Sequence, residues 1–99
     1  MIQKTFLKTK DYCKVKFSID ANGAETVNVL GLNNDWKTGF ALKKKKDGIF
    51  TAEINLPKES RHEFKYLIDG NIWADDENAD AHVPNTFGGS NSLLVLKLL

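Results

Sequence analysis

Apolar residues alternate with polar ones through most of this chain, and that alternation is the side-chain period of a β-strand. The clearest runs span residues 15–19, 27–29, 50–54 and 63–68. No stretch of ten residues keeps the 3.6-residue period of an amphipathic helix. The pattern therefore predicts an all-β chain with no substantial helix.

Turn-forming residues separate the alternating runs. Asn22-Gly23, Asp47-Gly48 and Asp69-Gly70 are pairs that accept positive φ at low cost, as tight hairpins require. Pro57 is expected to end a strand, and Gly88-Gly89 to precede the last one. Further strands are expected at residues 4–8, 40–44 and 93–98. Together these signals predict one domain over residues 1–99, an antiparallel β-sandwich of six to eight short strands.

Composition narrows the classes of partner and compartment. The 99 residues carry a net charge of +1, which argues against nucleic acid or an anionic membrane as the main partner. The single cysteine, Cys13, excludes an internal disulfide and is expected to be a small strand residue. The N-terminus lacks the apolar region of an export signal, and no run approaches the ~20 apolar residues of a membrane span. We therefore expect a cytoplasmic protein.

Two segments, residues 32–39 and 74–91, do not fit the strand pattern. The first contains Trp36, and the second directly follows Trp73. Trp36 follows Asn33, Asn34 and Asp35, and Trp73 lies just beyond the Asp69-Gly70 turn. An indole face can pack on the C–H faces of a pyranose ring, so two loop tryptophans indicate a sugar-binding site. The alternative for each is a loop anchor that folds inward.

Other polar residues could complete such a site. Lys65 alternates with Phe64 and Tyr66, so it is expected to face outward, either as a donor to sugar hydroxyls or as a solvated lysine. The acidic residues of the second segment are expected to form a solvated loop rather than a glycosidase centre or a calcium site: Asp75, Asp76, Glu77 and Asp80. His62 and His82 have no partner at metal-ligand spacing. We therefore expect no catalytic residues, no metal and no cofactor.

Three motifs resemble those of family-48 carbohydrate-binding modules, which include the glycogen-binding domains of the AMP-activated protein kinase beta subunit and the N-terminal domains of isoamylases. The motifs are VNVLG at 27–31 followed by Asn-Asn-Asp-Trp at 33–36, EFKYLIDG at 63–70, and FGGSNS at 87–92. The resemblance covers about residues 12–97. It implies an immunoglobulin-like sandwich that binds α-1,4-glucans such as glycogen, starch and maltooligosaccharides.

The resemblance also implies roles for individual residues. Trp36 and Trp73 would stack on glucose units, Lys65 and Asn91 would hydrogen-bond hydroxyls, and Phe87 would press on the curve of the glucan. One extra residue, Ile72, precedes Trp73, which leaves the orientation of Trp73 open.

A second hypothesis also stays open. The fold could serve as an interaction module that docks on a glycan-metabolising enzyme or forms a homo-oligomer, with the tryptophans as interface anchors. A solvent-facing Trp73 beside Trp36 and Lys65 would favour the sugar site, and an inward Trp73 would favour docking.

Overall fold

The computed structural model describes residues 1–97, so Leu98, the end of the predicted apolar run, lies outside the described residues. The described residues form ten strands and one short 3-10 turn, Leu32–Asn34. The strands are β1 (Ile2–Phe6), β2 (Tyr12–Asp20), β3 (Val27–Leu30), β4 (Phe40–Ala41), β5 (Lys43–Lys44), β6 (Ile49–Pro57), β7 (Ser60–Ile68), β8 (Ile72–Ala74), β9 (Ala81–Pro84) and β10 (Ser90–Leu96). The all-β prediction is confirmed, although the described residues form ten strands where six to eight were expected.

The strands form two antiparallel sheets, which confirms the predicted sandwich. One sheet has four strands in the order β1-β2-β6-β5. The other has six strands: five in the order β4-β3-β7-β10-β9, and β8, which pairs with β7. One edge of β7 is shared: β10 pairs with residues 60–64, and β8 pairs with residues 66–68. No helix in the described part of the chain is long and apolar enough to cross a membrane.

The core lies between the sheets and is built by the alternating residues identified in the sequence. Phe17 of β2 meets Phe64 of β7 edge to face at 5.4 Å between ring centroids, and Phe64 meets Tyr66 at 5.8 Å. All three are fully buried, as is Cys13, which occupies β2 as expected. Burying one such aromatic side chain stabilises a fold by about 1.5–3 kcal/mol. The outward residues of the same strands are thereby directed to the sandwich surfaces.

The predicted strand at residues 40–44 is in fact two strands in different sheets. β4 pairs with β3, whereas β5 pairs with β6. Between them Leu42 is buried, and its N–H donates to the carbonyl of Val27. The chain therefore crosses from one sheet to the other at Leu42.

The prediction that residues 74–91 lack a strand is wrong. β9 lies within this segment and pairs with β10, and Trp73 itself lies in β8 rather than in a loop. Both strands are short, and their hydrogen-bond partners come from the edges of β10 and β7. The pairing is therefore set by the tertiary context, which a single short run of sequence does not report.

Candidate functional site

An open groove of about 860 Å³ lies on the outer face of the six-stranded sheet. Its floor includes Glu63 and Lys65 of β7, which point away from the core because Phe64 and Tyr66 point into it. All five residues predicted to bind a glucan line this groove: Trp36, Lys65, Trp73, Phe87 and Asn91. The fold thus brings together side chains that lie as far as 55 positions apart in the sequence.

Trp36 lies in a loop, as predicted, and its side chain is partly exposed. The preceding residue organises that loop. The Asp35 carboxylate accepts hydrogen bonds from the backbone N–H groups of Lys37, Thr38 and Gly39. These donors stabilise the ionised form and hold the pKa of Asp35 below its usual range. The loop is therefore turned sharply just after the tryptophan.

The Trp36 ring rests against Gly31, a residue that sequence reasoning did not single out. Gly31 has a φ of 106°, a conformation that side chains rarely adopt. A β-carbon at this position would stand 2.7 and 2.8 Å from two atoms of the Trp36 ring and would also clash with the carbonyl oxygen of Glu63. The absent side chain therefore makes room for the indole.

Trp73 faces the groove from β8. It pairs with Leu67, and Ile72 pairs with Ile68, so the two residues lie on opposite faces of the strand. The Trp73 side chain is 50% exposed, on the same face as Lys65. The inward orientation left open by the sequence is therefore wrong, and the extra residue Ile72 does not turn the indole away from the groove.

Lys65 faces outward as predicted, but it is not a freely solvated lysine. Its ammonium donates to Asp75 Oδ1 at 2.9 Å and to the carbonyl of Ser90 at 2.7 Å. An ammonium has three N–H donors, so these two contacts leave one for a ligand. The side chain is thus held in place at the floor of the groove.

Asn91 and Phe87 are joined by a chain of amide hydrogen bonds. Asn91 Nδ2 donates to Glu63 Oε1 at 3.1 Å, and Asn91 Oδ1 accepts from Asn85 Nδ2 at 3.1 Å. Asn85 Oδ1 in turn accepts from the backbone N–H groups of Phe87 and Gly89. Phe87 itself is 93% exposed. Glu63 and Asn85, which the sequence analysis missed, therefore position two of the predicted residues.

The acidic segment is only in part the solvated loop that the sequence predicts, because Glu77 and Asp80 are exposed whereas Asp76 is not. Asp76 is buried and accepts a hydrogen bond of 2.6 Å from the Tyr66 hydroxyl, whose pKa is raised chiefly by burial. Asp75 pairs with Lys65, and Asp80 pairs with Lys4 at 2.7 Å. In the sequence, Tyr66 was the residue that could have indicated a buried acidic partner, because the hydroxyl of an inward tyrosine needs a hydrogen-bond partner. Among residues 1–97, no three potential ligands are grouped so as to hold a metal ion.

His62 is a second buried polar residue that the sequence analysis did not place in the site. It lies on the inner face of β7 at the end of the groove, and its Nδ1 accepts the backbone N–H of Asn33 at 3.1 Å. Its burial lowers the pKa of the imidazole. His62 thus contacts the turn that precedes Trp36.

One protein family matches this chain over nearly its whole length. The family, described as the glycogen recognition site of AMP-activated protein kinase, matches residues 13–97. The matched range includes all five predicted site residues, and it confirms the resemblance drawn from the three motifs. A search of curated proteins gave no significant match.

Proposed function

This chain belongs to the family of glycogen recognition sites of AMP-activated protein kinase, and we propose that it binds α-1,4-glucans in the groove on its six-stranded sheet. The ligands are glycogen, starch or maltooligosaccharides. The observation that carries the proposal is the convergence of Trp36 and Trp73 on one groove that also holds Lys65 and Asn91.

The two indoles supply the apolar part of the site. A pyranose ring has C–H groups on its faces, and contact with an aromatic ring contributes about 0.5–1.5 kcal/mol beyond the area it buries. Trp36 and Trp73 are both exposed, so a sugar can reach their rings without a rearrangement of the core. Phe87 adds a third exposed ring on the rim of the groove.

The polar groups of the groove supply hydrogen bonds in fixed directions. Lys65 retains one N–H, and Asn91 retains one N–H and one lone pair after their contacts with the protein. The second carboxylate oxygen of Glu63 is an acceptor for a hydroxyl hydrogen. Because the protein already holds these groups, a glucan binds without the cost of ordering them.

We propose binding without hydrolysis. Most glycosidases place two carboxylates on either side of the scissile bond. Glu63 is the acidic residue that the described part of the chain places in the groove lining. The docking alternative is less well supported, because Trp73 is exposed beside Lys65 rather than packed inward.

Binding can be tested by affinity electrophoresis in glycogen-containing gels and by calorimetric titration with β-cyclodextrin, a cyclic α-1,4-glucan. We expect Trp36→Ala and Trp73→Ala each to lower affinity by about 1–3 kcal/mol, the cost of removing an aromatic stacking platform. Phe40→Ala is the matched control, because Phe40 is also an exposed aromatic residue but does not line the groove.

Two outcomes would contradict the proposal. In the first, the wild-type protein migrates unretarded in glycogen gels and gives no heat with β-cyclodextrin. In the second, Phe40→Ala weakens binding as much as the two tryptophan variants do, which would place the contact outside the groove.

A further inference from the structure

We propose that His62 is a positioning residue for Trp36, and that protonation of its imidazole releases the Trp36 loop and weakens glucan binding. The consequence for binding rests on the function proposed above. The release of the loop itself does not, because it follows from contacts within the protein.

The hydrogen bonds around His62 assign its protonation state. Nδ1 lies 3.1 Å from the backbone nitrogen of Asn33, which can only donate. Nε2 lies 2.8 Å from Ser60 Oγ, and that hydroxyl donates its own proton to the carbonyl of Pro57. Ser60 Oγ must therefore accept from Nε2. All three contacts are satisfied only by the neutral imidazole that carries its proton on Nε2.

We call the loop closed while the N–H of Asn33 donates to His62 Nδ1. In the closed loop, a second proton on the imidazole has no hydrogen-bond acceptor. It would sit on Nδ1 and point at the N–H of Asn33, so two donors would face each other. The backbone N–H would lose its acceptor, and a cation would be created on a side chain that is 7% exposed. Both costs are relieved if the turn at Asn33 moves away and water reaches Nδ1.

The turn held by His62 determines where Trp36 lies. Asn33 and Asn34 have φ values of 56° and 61°, left-handed conformations that asparagine adopts more readily than most residues, so the two residues form a tight turn. The turn is closed by hydrogen bonds from Gly31 N–H to Asp35 O and from Asn34 N–H to Gly31 O. Trp36 follows directly and rests on Gly31. Loss of the Asn33 contact therefore loosens the support under the indole.

No charged group in the described surroundings of His62 offsets the effect of burial. Arg61 and Glu63 project from the opposite face of β7, β10 places Leu94 opposite His62, and the turn at residues 32–34 carries no charge. Two charged residues of the adjoining segments are hydrogen-bonded to backbone: Asp35 accepts from the N–H groups of residues 37–39, and Lys58 donates to the carbonyl of Leu7. Two others, Glu59 and Lys97, are exposed to solvent.

Burial is accordingly the cause that lowers the pKa of His62 in the closed protein. An imidazole exposed by opening of the loop returns toward the ordinary value of about 6.5. The open state thus binds the proton more tightly than the closed state does. As the pH falls below about 6.5, the equilibrium shifts from the closed loop toward the open one.

Thermodynamic linkage requires the reverse effect as well. A glucan that binds the closed loop stabilises the neutral imidazole, so a saturating ligand must lower the pKa of His62 further. A residue with a purely structural role, remote from the ligand, would not show this coupling.

The experiment follows three signals in the wild-type protein from about pH 8 to about pH 5: the His62 imidazole by NMR, the indole N–H of Trp36 by NMR without ligand, and β-cyclodextrin affinity by calorimetry. We expect the imidazole and the ligand-free indole to titrate with one midpoint. Affinity should fall by roughly 2- to 10-fold, the worth of one hydrogen bond. Saturating β-cyclodextrin should move the imidazole midpoint to lower pH.

Two variants separate His62 from other titrating groups. His62→Asn keeps an acceptor near the Nδ1 position but cannot be protonated, so the affinity of this variant, whatever its value at pH 8, should no longer depend on pH. It leaves Glu63 and the other carboxylates in place, so an effect due to them would persist. His82→Asn is the matched control, because it removes the other imidazole, which is exposed and contacts Asp76 O. This control should keep the wild-type pH profile.

The proposal is wrong if the Trp36 indole does not respond when His62 titrates, or if His62→Asn loses affinity in acid with the wild-type midpoint. Should His62→Asn fail to fold, the shift of the wild-type His62 midpoint by β-cyclodextrin decides the question. If β-cyclodextrin does not bind at any pH, the proposed function fails, whereas the ligand-free indole titration still tests the positioning role.

Discussion

Substitution of Gly31 by alanine tests whether the Trp36 platform depends on an absent side chain. The new β-carbon would lie 2.7 and 2.8 Å from the Trp36 ring and in conflict with the Glu63 carbonyl oxygen. The carbonyl belongs to the central strand β7 and cannot yield easily, so the backbone at residue 31 must shift, and the indole that rests on it must move as well. In addition, alanine can adopt the φ of 106° only with backbone strain, which glycine does not have.

The two costs can be estimated separately. A left-handed backbone costs a residue other than glycine about 1–2 kcal/mol. Forcing an extra carbon into a packed site typically costs about 1–3 kcal/mol more. Gly31→Ala should therefore lower the free energy of unfolding by about 2–5 kcal/mol, compared with a typical total of about 5–15 kcal/mol for a small domain. Displacement of the indole should also lower β-cyclodextrin affinity by at least about 1 kcal/mol, or about fivefold.

Urea denaturation and calorimetric titration with β-cyclodextrin measure these two effects. Gly23→Ala is the matched control, because Gly23 has a φ of 83° but no atom within 4 Å of the position of a β-carbon. It should show the backbone cost alone and keep wild-type affinity. The reasoning is refuted if Gly31→Ala costs no more stability than Gly23→Ala, or if it binds β-cyclodextrin as tightly as the wild type.

Two further predictions follow from the site and from one hairpin. Phe87→Ala should weaken β-cyclodextrin binding by about 1–3 kcal/mol with an unchanged urea midpoint, because Phe87 is 93% exposed; a shifted midpoint would show that its ring packs on the fold. The pKa of Asp69 is lowered by hydrogen bonds from the backbone N–H groups of Thr26 and Glu25, so its carboxylate stabilises the fold above the ordinary aspartate pKa and ceases to do so as the pH falls through the lowered value. Asp69→Asn should therefore be less stable than the wild type at pH 7, and this difference should shrink in acid; a difference that is constant across urea denaturations at several pH values would contradict the linkage.

The strands that could be predicted are those whose own residues alternate. The runs at residues 15–19, 50–54 and 63–68 lie within β2, β6 and β7, where every second side chain meets the opposite sheet. β8 and β9 escaped prediction because they have three and four residues and pair on the edges of stronger strands. Their existence depends on where β7 and β10 place free backbone groups, and a local pattern does not contain that information.

The members of the site could be predicted more completely than their surroundings. The motifs and the resemblance identified five of the residues that line the groove. The contacts that hold them could not be anticipated, because the partners are distant in the sequence. Asp75 lies 10 positions from Lys65, whereas Glu63 and Asn85 lie 28 and 6 positions from Asn91. Such pairs are created by strand register across the sheet rather than by spacing along the chain.

The manner in which each groove residue is held decides what its substitution can report. Lys65 is paired with Asp75 and Asn91 with Glu63, so an alanine at either position removes a proposed sugar contact and also deprives a carboxylate of that donor. A loss of affinity in those variants therefore combines contact with positioning.

Trp73 and Phe87 project freely into the groove, and their replacement measures contact more directly. Trp36 lies between these cases, because its indole is a proposed stacking surface that packs on Gly31 and follows the turn bonded to His62. Residues that never touch a glucan should therefore affect binding through Trp36 more strongly than through Trp73, whose position is set by the pairing of β8 with β7.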